Sequence, residues 1–374
     1  MKIVIVCAFD TYFERVRLLK KYYEEKGNEV LILSSSFSHR KKEQIQSDLV
    51  DISISTKPYY KNLSIDRLYN HYEFSSKTKE QLETIQPDLI HCLIPCNSLC
   101  KTMSEYKEKH NVKLIFDVMD LWPETMPIQT LKNHFPFTLW KNIRDRYLKN
   151  ADYILCECDL FKEKLNLIHY ESCSTLYWSK ENLPLDSHPE LSDDLEFCYL
   201  GSINHIIDIP FIVQFLKECS LYKKVRLHII GNGENKTDWI YACLENGINV
   251  IDHKEIYDPE KKQKIFDQCH YALNVMKPSV VVGLTMKSLD YLCGSIPMIN
   301  TIQGDTYTLC EEKDLGWNVD TLNYKKAAYL LCEESKDCQL QRRRNCKEAY
   351  YTYFTYESFK MKLDEVYGKI LHNG

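Results

Sequence analysis

YALNVMKPSVVVGLTMKSLDYLCGSIPMINTIQGDT, residues 271–306, reads as strand, loop, helix, strand and loop. Residues 271–276 form a short apolar run of strand formers, closed by Lys277 and Pro278. Thr285 is a side chain suited to cap a helix. Behind it Met286, Leu289, Leu292 and Cys293 recur at helical spacing and make a buried stripe. Gly294 stands where a helix stop favours a left-handed residue. Residues 296–300 are the next buried strand, and Gln303, Gly304 and Asp305 leave its end. Lys287, Asp290 and Tyr291 lie three and four apart and share one face near the helix start. Exposed backbone N–H groups together with a first-turn lysine make an anion site. In an open α/β sheet that site opens at the carboxyl ends of the strands.

The same grammar runs outward in both directions. Residues 2–8 are a continuous β run, as in a strand buried on both faces, followed by a helix, Gly27 and a second strand at 29–34. This is the opening of a doubly wound domain. Its first loop, CAFDTYFERVR, lacks the glycine fingerprint of dinucleotide binding, which argues against NAD or FAD there. Further strands are predicted at 88–93, 113–118 and 151–156. The strand at 113–118 runs into Met119-Asp120-Leu121-Trp122-Pro123-Glu124, where tryptophan offers a flat wall and proline fixes the path. Residues 177–194 are polar, hold two prolines and have no apolar period, so they read as a linker. A second β-α-β series starts at 196, with Gly201 and Ser202 at the first strand end, where glycine lets a backbone approach a ligand. Gly231-Asn232-Gly233-Glu234 follows the next strand. Residues 136–150 form an amphipathic, aromatic and basic helix, read either as packing through Leu139, Ile143, Tyr147 and Leu148 or as a membrane-surface contact. Arg342-Arg343-Arg344 reads as a solvated face, and the aromatic terminal helix as packing.

Composition narrows the classes. The chain has 374 residues, 44% of them hydrophobic, and a net charge of −5, which argues against nucleic acid as an obligatory partner. Sixteen cysteines sit mostly in apolar runs without a CxxC pair, which fits free thiols in a reducing compartment. Cys92, Cys96 and Cys100 beside His91 are a weak metal pattern, and no metal is expected. MKIVIVCAF is too short for a signal peptide, and no apolar run is long enough to span a bilayer. A cytoplasmic protein, at most peripheral at the inner face of a membrane, is expected. An exported solute-binding protein is disfavoured.

Gly283, Lys287, Asp290-Tyr291, Gly294 and Pro297 resemble the donor-binding segment of GT-B glycosyltransferases of the family-4-like group that builds bacterial surface polysaccharides. The Asp-Leu-Trp-Pro-Glu loop and the Gly201 and Gly231–Glu234 loops are similar to that group as well. The chain departs from it in several places: Asp290 replaces a glutamate, an earlier glutamate near Val281 or Val282 is missing, Met119 replaces a frequent histidine, and Ser202 replaces a frequent arginine with no lysine a few residues on. The resemblance implies two Rossmann-like doubly wound domains facing a central cleft, with a C-terminal helix crossing back to the first. The boundaries expected are 1–178 for the acceptor domain, 179–194 for the linker, 195–345 for the nucleotide-sugar domain and 346–374 for the crossing segment. It implies transfer of a sugar from a nucleotide-sugar co-substrate, a UDP-sugar foremost, to a glycan or lipid-linked saccharide, with retention and without a metal or other cofactor. Lys287, Asp120 and Glu124 would serve the chemistry. Gly201, Ser202, Gly231, Gly233, Thr285, Lys287, Asp290, Gly304, Asp305 and Thr306 would hold the donor, Asp290 at the ribose hydroxyls. Phe9, Asp10, Arg15 and Trp122 would face the acceptor. The departures leave a second reading, a non-catalytic GT-B-like subunit that supports another transferase. Donor sugar, base, acceptor, linkage and oligomeric state are not legible.

Overall fold

The computed structural model describes residues 1–126, 133–181 and 184–372. Residues 182–183 of the expected linker and 373–374 of the expected terminal segment lie outside the described residues. The chain divides into two units, Met1–Ser179 with Phe359–Gly374, and Lys180–Ser358.

The first unit is built on seven parallel strands: β1 (Lys2–Cys7), β2 (Glu29–Ser35), β3 (Ile52–Ile54), β4 (Leu89–Ile94), β5 (Lys113–Val118), β6 (Tyr153–Cys156) and β7 (Cys173–Thr175). Their order is β3-β2-β1-β4-β5-β6-β7. Ile3, Val4, Ile5 and Val6 in β1, and Leu89 and Ile90 in β4, have no exposure at all, as continuous apolar runs in a covered parallel sheet should. Strand order reverses between β1 and β4, so the loops leaving those strands flank the switch point where doubly wound sheets bind ligands.

One acid sits inside this sheet. Asp117 of β5 is fully buried, and Arg15 of the Phe13–Glu25 helix grips it with Nε and Nη2, both at 2.9 Å. Nη1 of Arg15 donates to the carbonyls of Leu176 and Tyr177. His91 of β4 approaches Asp117 through Nε2 at 3.3 Å and bonds the Tyr23 hydroxyl through Nδ1 at 2.8 Å. Burial alone would raise the Asp117 carboxyl, but Arg15 and His91 outweigh it and hold it at about 2. Arg15, expected on the acceptor side, is therefore an internal brace with no exposure.

The last helix, Tyr356–His372, places Phe359, Leu363, Val366 and Ile370 on one buried stripe. Phe359 lies 5.1 Å from the Arg15 guanidinium, and Asp364 accepts from Tyr22 and pairs with Lys26. Residues 346–358, expected in the terminal segment, belong to the second unit; the helix Lys336–Tyr353 stays there because Arg343 is rooted in it. Arg343 is 3% exposed and donates to the carbonyls of Phe266, Cys269 and Ser295. Arg342 stacks on Trp317 and pairs with Asp314 and Glu334. Only Arg344 of the three is exposed, so the arginine run is not a solvated face. In the Phe137–Tyr147 helix the buried residues are Trp140 and Arg144, whereas Leu139 is 51% exposed.

The second unit holds six parallel strands: β8 (Leu195–Leu200), β9 (Val225–Ile230), β10 (Asn249–Lys254), β11 (Tyr271–Asn274), β12 (Met298–Asn300) and β13 (Gly316–Asn318), in the order β10-β9-β8-β11-β12-β13. Thr285 caps the Met286–Cys293 helix by accepting from the Ser288 N–H at 3.1 Å. Gly294 ends that helix at φ −78, and Ser295 takes the left-handed turn at φ 53. Glycine is needed at 294 for space: a Cβ there would lie 2.3 Å from the Phe266 ring.

Arg15→Met should destabilise the first unit by about 3 kcal/mol, because it strands a buried carboxylate. Denaturant unfolding followed by near-UV circular dichroism measures this, and a loss below about 1 kcal/mol would show that the pair is not the brace described. The stability Asp117 contributes is full above its unfolded value near 3.8 and is lost as pH falls toward about 2.

Candidate functional site

In the second unit the candidate residues gather around the switch point between β8 and β11. Gly201 leaves β8 at φ +119, and a Cβ on it would stand 3.3 Å from Lys287 Cδ. The lysine stem thus lies across the glycine. Gly231, leaving β9, comes so close that a Cβ there would sit 2.0 Å from the Gly201 carbonyl oxygen. The two loops are stitched by Gly201 N–H to the Ile230 carbonyl and Ile203 N–H to the Asn232 carbonyl, both at 2.9 Å, with Gly233 packed against Ile203. Ser202 is exposed and its carbonyl accepts from the Tyr199 hydroxyl at 2.7 Å.

Lys287 is half-buried. Its Nζ lies 3.3 Å from the Tyr199 hydroxyl and 4.7 Å from that ring's centre, and no carboxylate pairs with it among the described residues. Burial pulls its ammonium down to about 8. A cation kept desolvated and unpaired at the first turn of a helix is suited to receive an anion.

What holds this turn was not foreseen. Asn274, Asn300 and Asn318 end β11, β12 and β13 in direct register. Asn274 Nδ2 donates to Asn300 Oδ1 at 2.9 Å, and Asn300 Nδ2 donates to Asn318 Oδ1 at 2.8 Å. Asn274 also donates to Ser288 Oγ at 3.1 Å, and that hydroxyl meets Thr285 Oγ1 at 2.9 Å. A buried ladder of amides therefore fixes the helix start. Three successive short strands each ending in asparagine were the signal that sequence reading passed over.

Other predicted residues are placed as follows. Asp290 and Lys180 form a half-buried ion pair at 2.7 Å. Gly304 turns the chain at φ 73; Asp305 and Thr306 behind it are 4% and 1% exposed. Thr306 donates from both N–H and hydroxyl to the Gly283 carbonyl, at 2.8 and 2.7 Å, and so pins the loop before Lys287.

In the first unit, loops leaving β1, β2 and β5 enclose an aromatic cluster. Phe9 packs on His39, His71 and Trp122 with ring centres 5.2–5.4 Å apart. His71 stacks on Trp122 at 15°, and the Arg67 guanidinium lies 3.9 Å from that ring's centre. Asp10 accepts from the Ser38 hydroxyl at 2.7 Å. Asp120 accepts from the Leu121 N–H at 2.8 Å and from Thr125 at 2.5 Å, while burial raises its carboxyl above the ordinary range. Glu157, which follows β6, is raised further by burial and by the neighbouring Asp120 charge. Glu124 is instead gripped by Arg144 at 2.6 and 3.0 Å and approached by Lys141. Arg67, His71 and Glu157 were not singled out in the sequence, because nothing local distinguishes them.

No family model matches the chain, and no curated protein sequence matches it. Solved structures do. A sucrose-phosphate synthase from Thermosynechococcus elongatus is similar at TM-score 0.72 and 12% identity, over 100% of both chains. The lipopolysaccharide outer core galactosyltransferase WaaB is similar at 0.66 and 14%, over 98% of this chain and 99% of that one. HepE of Anabaena, solved in complex with UDP-glucose, is similar at 0.64 and 12%, again over 98% and 99%. The fold is GT-B. Both GT-B units of this chain thus carry their polar candidates at the carboxyl ends of a parallel sheet.

Gly231→Ala should force the Gly201 and Gly231 loops apart and destabilise the second unit by about 2 kcal/mol or more. Gly247→Ala is the control: it also has a positive φ but meets nothing within 4 Å, so only the backbone cost of about 1 kcal/mol applies. Equal thermal shifts for the two variants would rule out the close approach as the cause.

Proposed function

We propose that this protein transfers a sugar from a nucleotide-sugar donor, a UDP-sugar foremost, to a hydroxyl of a glycan or lipid-linked saccharide. The observation that carries this reading is Lys287, a half-buried cation without a carboxylate partner, laid over Gly201 at the switch point of the second sheet. HepE, of the same fold, is solved with UDP-glucose.

In this reading the donor diphosphate rests on Lys287 and on the N–H groups around Thr285 and Gly201. Cleaving the sugar–phosphate bond leaves charge on the diphosphate, and stabilising that charge dominates the barrier. Lys287 supplies it from a site where burial has removed competing water. Asp290 takes the ribose hydroxyls, with Lys180 holding its other side. On the first unit Asp10 and Asp120 offer polar groups to the acceptor, while Phe9 and Trp122, expected to face it, are 3% and 9% exposed and back the site from the core. Retention of anomeric configuration and independence of metal belong to the same proposal; the anomeric signal of the product by NMR tests the first, and turnover in EDTA the second.

The exposed Ser202 in place of an arginine and the glutamate missing near Val281 or Val282 favour one other reading, a donor-binding subunit that assists another transferase. Hydrolysis of the donor by purified protein separates the two.

Thermal unfolding with UDP, GDP, dTDP and CMP should reveal one stabilising nucleotide, worth about 2.7 kcal/mol at a hundred times its Kd. Lys287→Ala should abolish that shift and lower turnover at least about a hundredfold while the protein stays folded. Turnover within about threefold of the parent removes Lys287 from the mechanism.

pH gives an independent check. In the free protein Lys287 is charged below about 8 and neutral above it. A bound diphosphate favours the charged form, so binding above that value must take up a proton. UDP affinity should fall about tenfold between pH 7 and pH 9. A flat profile would show that the lysine is not at the phosphates.

A further inference from the structure

Arg67 stands on the first turn of the Ile65–Ile85 helix, whose cap Ser64 accepts from its N–H at 3.2 Å. Its side chain is drawn into the aromatic cluster, 3% exposed, with Cζ 3.9 Å from the Trp122 ring centre and 5.7 Å from that of Trp140. Nη1 donates to the Asn62 carbonyl at 2.8 Å. Nε and Nη2 have no hydrogen-bond partner among the described residues. Stacking occupies the face of the guanidinium and leaves the donors of its buried edge without a hydrogen-bond partner among the described residues. The Nε–Nη2 edge is the one that grips a carboxylate with two parallel bonds. This chain displays that grip elsewhere, in Arg15 on Asp117.

The surroundings point the same way. His71, one turn further along the helix, is 1% exposed, and neither of its ring nitrogens has a partner among the described residues. Burial and the Arg67 charge keep it neutral, as burial and the charges of Arg67 and Lys42 do His39. Lys42 adds a second cation 4.4 Å from the Tyr59 ring. The Tyr59 hydroxyl is bonded to His39 and also lies within hydrogen-bonding reach of the Arg67 guanidinium. Asp10 and Asp120 are acids near the cluster, beside Glu157, and each of the two is engaged by its own hydroxyl donor, although Asp10 Oδ1 has no partner among the described residues. Neither forms an ion pair with Arg67. Half-buried Asp10, Tyr12, His39 and Lys42 form the rim, at the ends of β1 and β2 beside the switch point. A buried guanidinium with two idle donors is costly for a fold to keep unless something binds it.

We propose that Arg67 forms an oxyanion subsite, in which Nε and Nη2 take two oxygens of a carboxylate or phosphate on the acceptor saccharide while Trp122 backs the guanidinium. This rests on the reading of the first unit as the acceptor side. The acceptor is then an acidic sugar, either a uronic acid or a sugar phosphate.

Ligand-observed NMR titration of the full chain tests it with methyl glucuronoside, glucose 6-phosphate and neutral methyl glucoside. At least one anionic probe should bind about tenfold or more tighter than the neutral one. The tighter of the two identifies carboxylate or phosphate. Arg67→Met should erase the preference, and Arg67→Lys, which keeps the charge but not the fork, should lose about tenfold for the preferred anion. UDP stabilisation should persist in both variants and reports that they are folded. Equal binding of neutral and anionic probes, binding of no anionic probe, or parental anion affinity in Arg67→Lys each overturns the subsite. UDP binding without anion preference fails the subsite alone. Anion preference without binding of any nucleotide fails the donor reading and leaves the subsite standing.

Discussion

Withdrawing a guanidinium or ammonium from water costs several kcal/mol unless a carboxylate, a set of carbonyls or a ligand answers the charge. The chain buries several such groups, and the answers differ. Arg15 is met by Asp117 and two carbonyls, Arg144 by Glu124 and Asp145, and Arg343 by the carbonyls of Phe266, Cys269 and Ser295. These are scaffold. Lys287 and Arg67 are met chiefly by aromatic rings, Tyr199 and Trp122. A ring quadrupole softens the cost of burial without neutralising the charge or using every donor. Among the described residues each unit thus buries a cation that no carboxylate pairs with, and each lies at the carboxyl ends of a parallel sheet.

That coincidence follows from topology. Both sheets reverse strand order next to their first strand, β1 in one unit and β8 in the other. Loops on either side of a reversal diverge and leave room that side chains must line. In the second unit the room is held open by rigid parts. The asparagine ladder ties three strand ends together, Thr285 caps the helix off that ladder, and Thr306 pins the loop before it. Polar groups this deep are tolerated because each satisfies the next, which also makes the geometry hard to deform.

Much of this was legible and some was not, for identifiable reasons. The strand–helix–strand unit at 271–300, the Thr285 cap and the position of Lys287 follow from local pattern, since capping and periodicity act within a few residues. Long-range pairing leaves no local trace. Arg15, read as facing a ligand, finds Asp117 across the sheet, and Arg343, read as solvated, finds three carbonyls in the loops beneath it. Charged residues read as exposed by default, so the informative ones, which are buried, are those most easily misplaced. Arg67 was passed over for the same reason: its meaning lies in Trp122, distant in sequence. At Gly294 the residue type was anticipated and its cause was not, because the demand is contact with Phe266 rather than a left-handed turn.

The ion pair of Asp290 with Lys180 is compatible with the proposed ribose contact. A carboxylate offers about four acceptor sites, and Lys180 occupies Oδ1 alone. A half-buried pair of this kind adds little to stability, but it fixes the rotamer of a short side chain. A fixed rotamer is what a hydroxyl-binding carboxylate needs, since a wandering acid accepts poorly. Tyr291, the next residue, has its hydroxyl between the Leu200 N–H and the Leu273 carbonyl, so the helix face that carries Asp290 is anchored to β8 and β11 together. The pairing therefore orients Asp290 as part of the same rigid construction that positions Lys287.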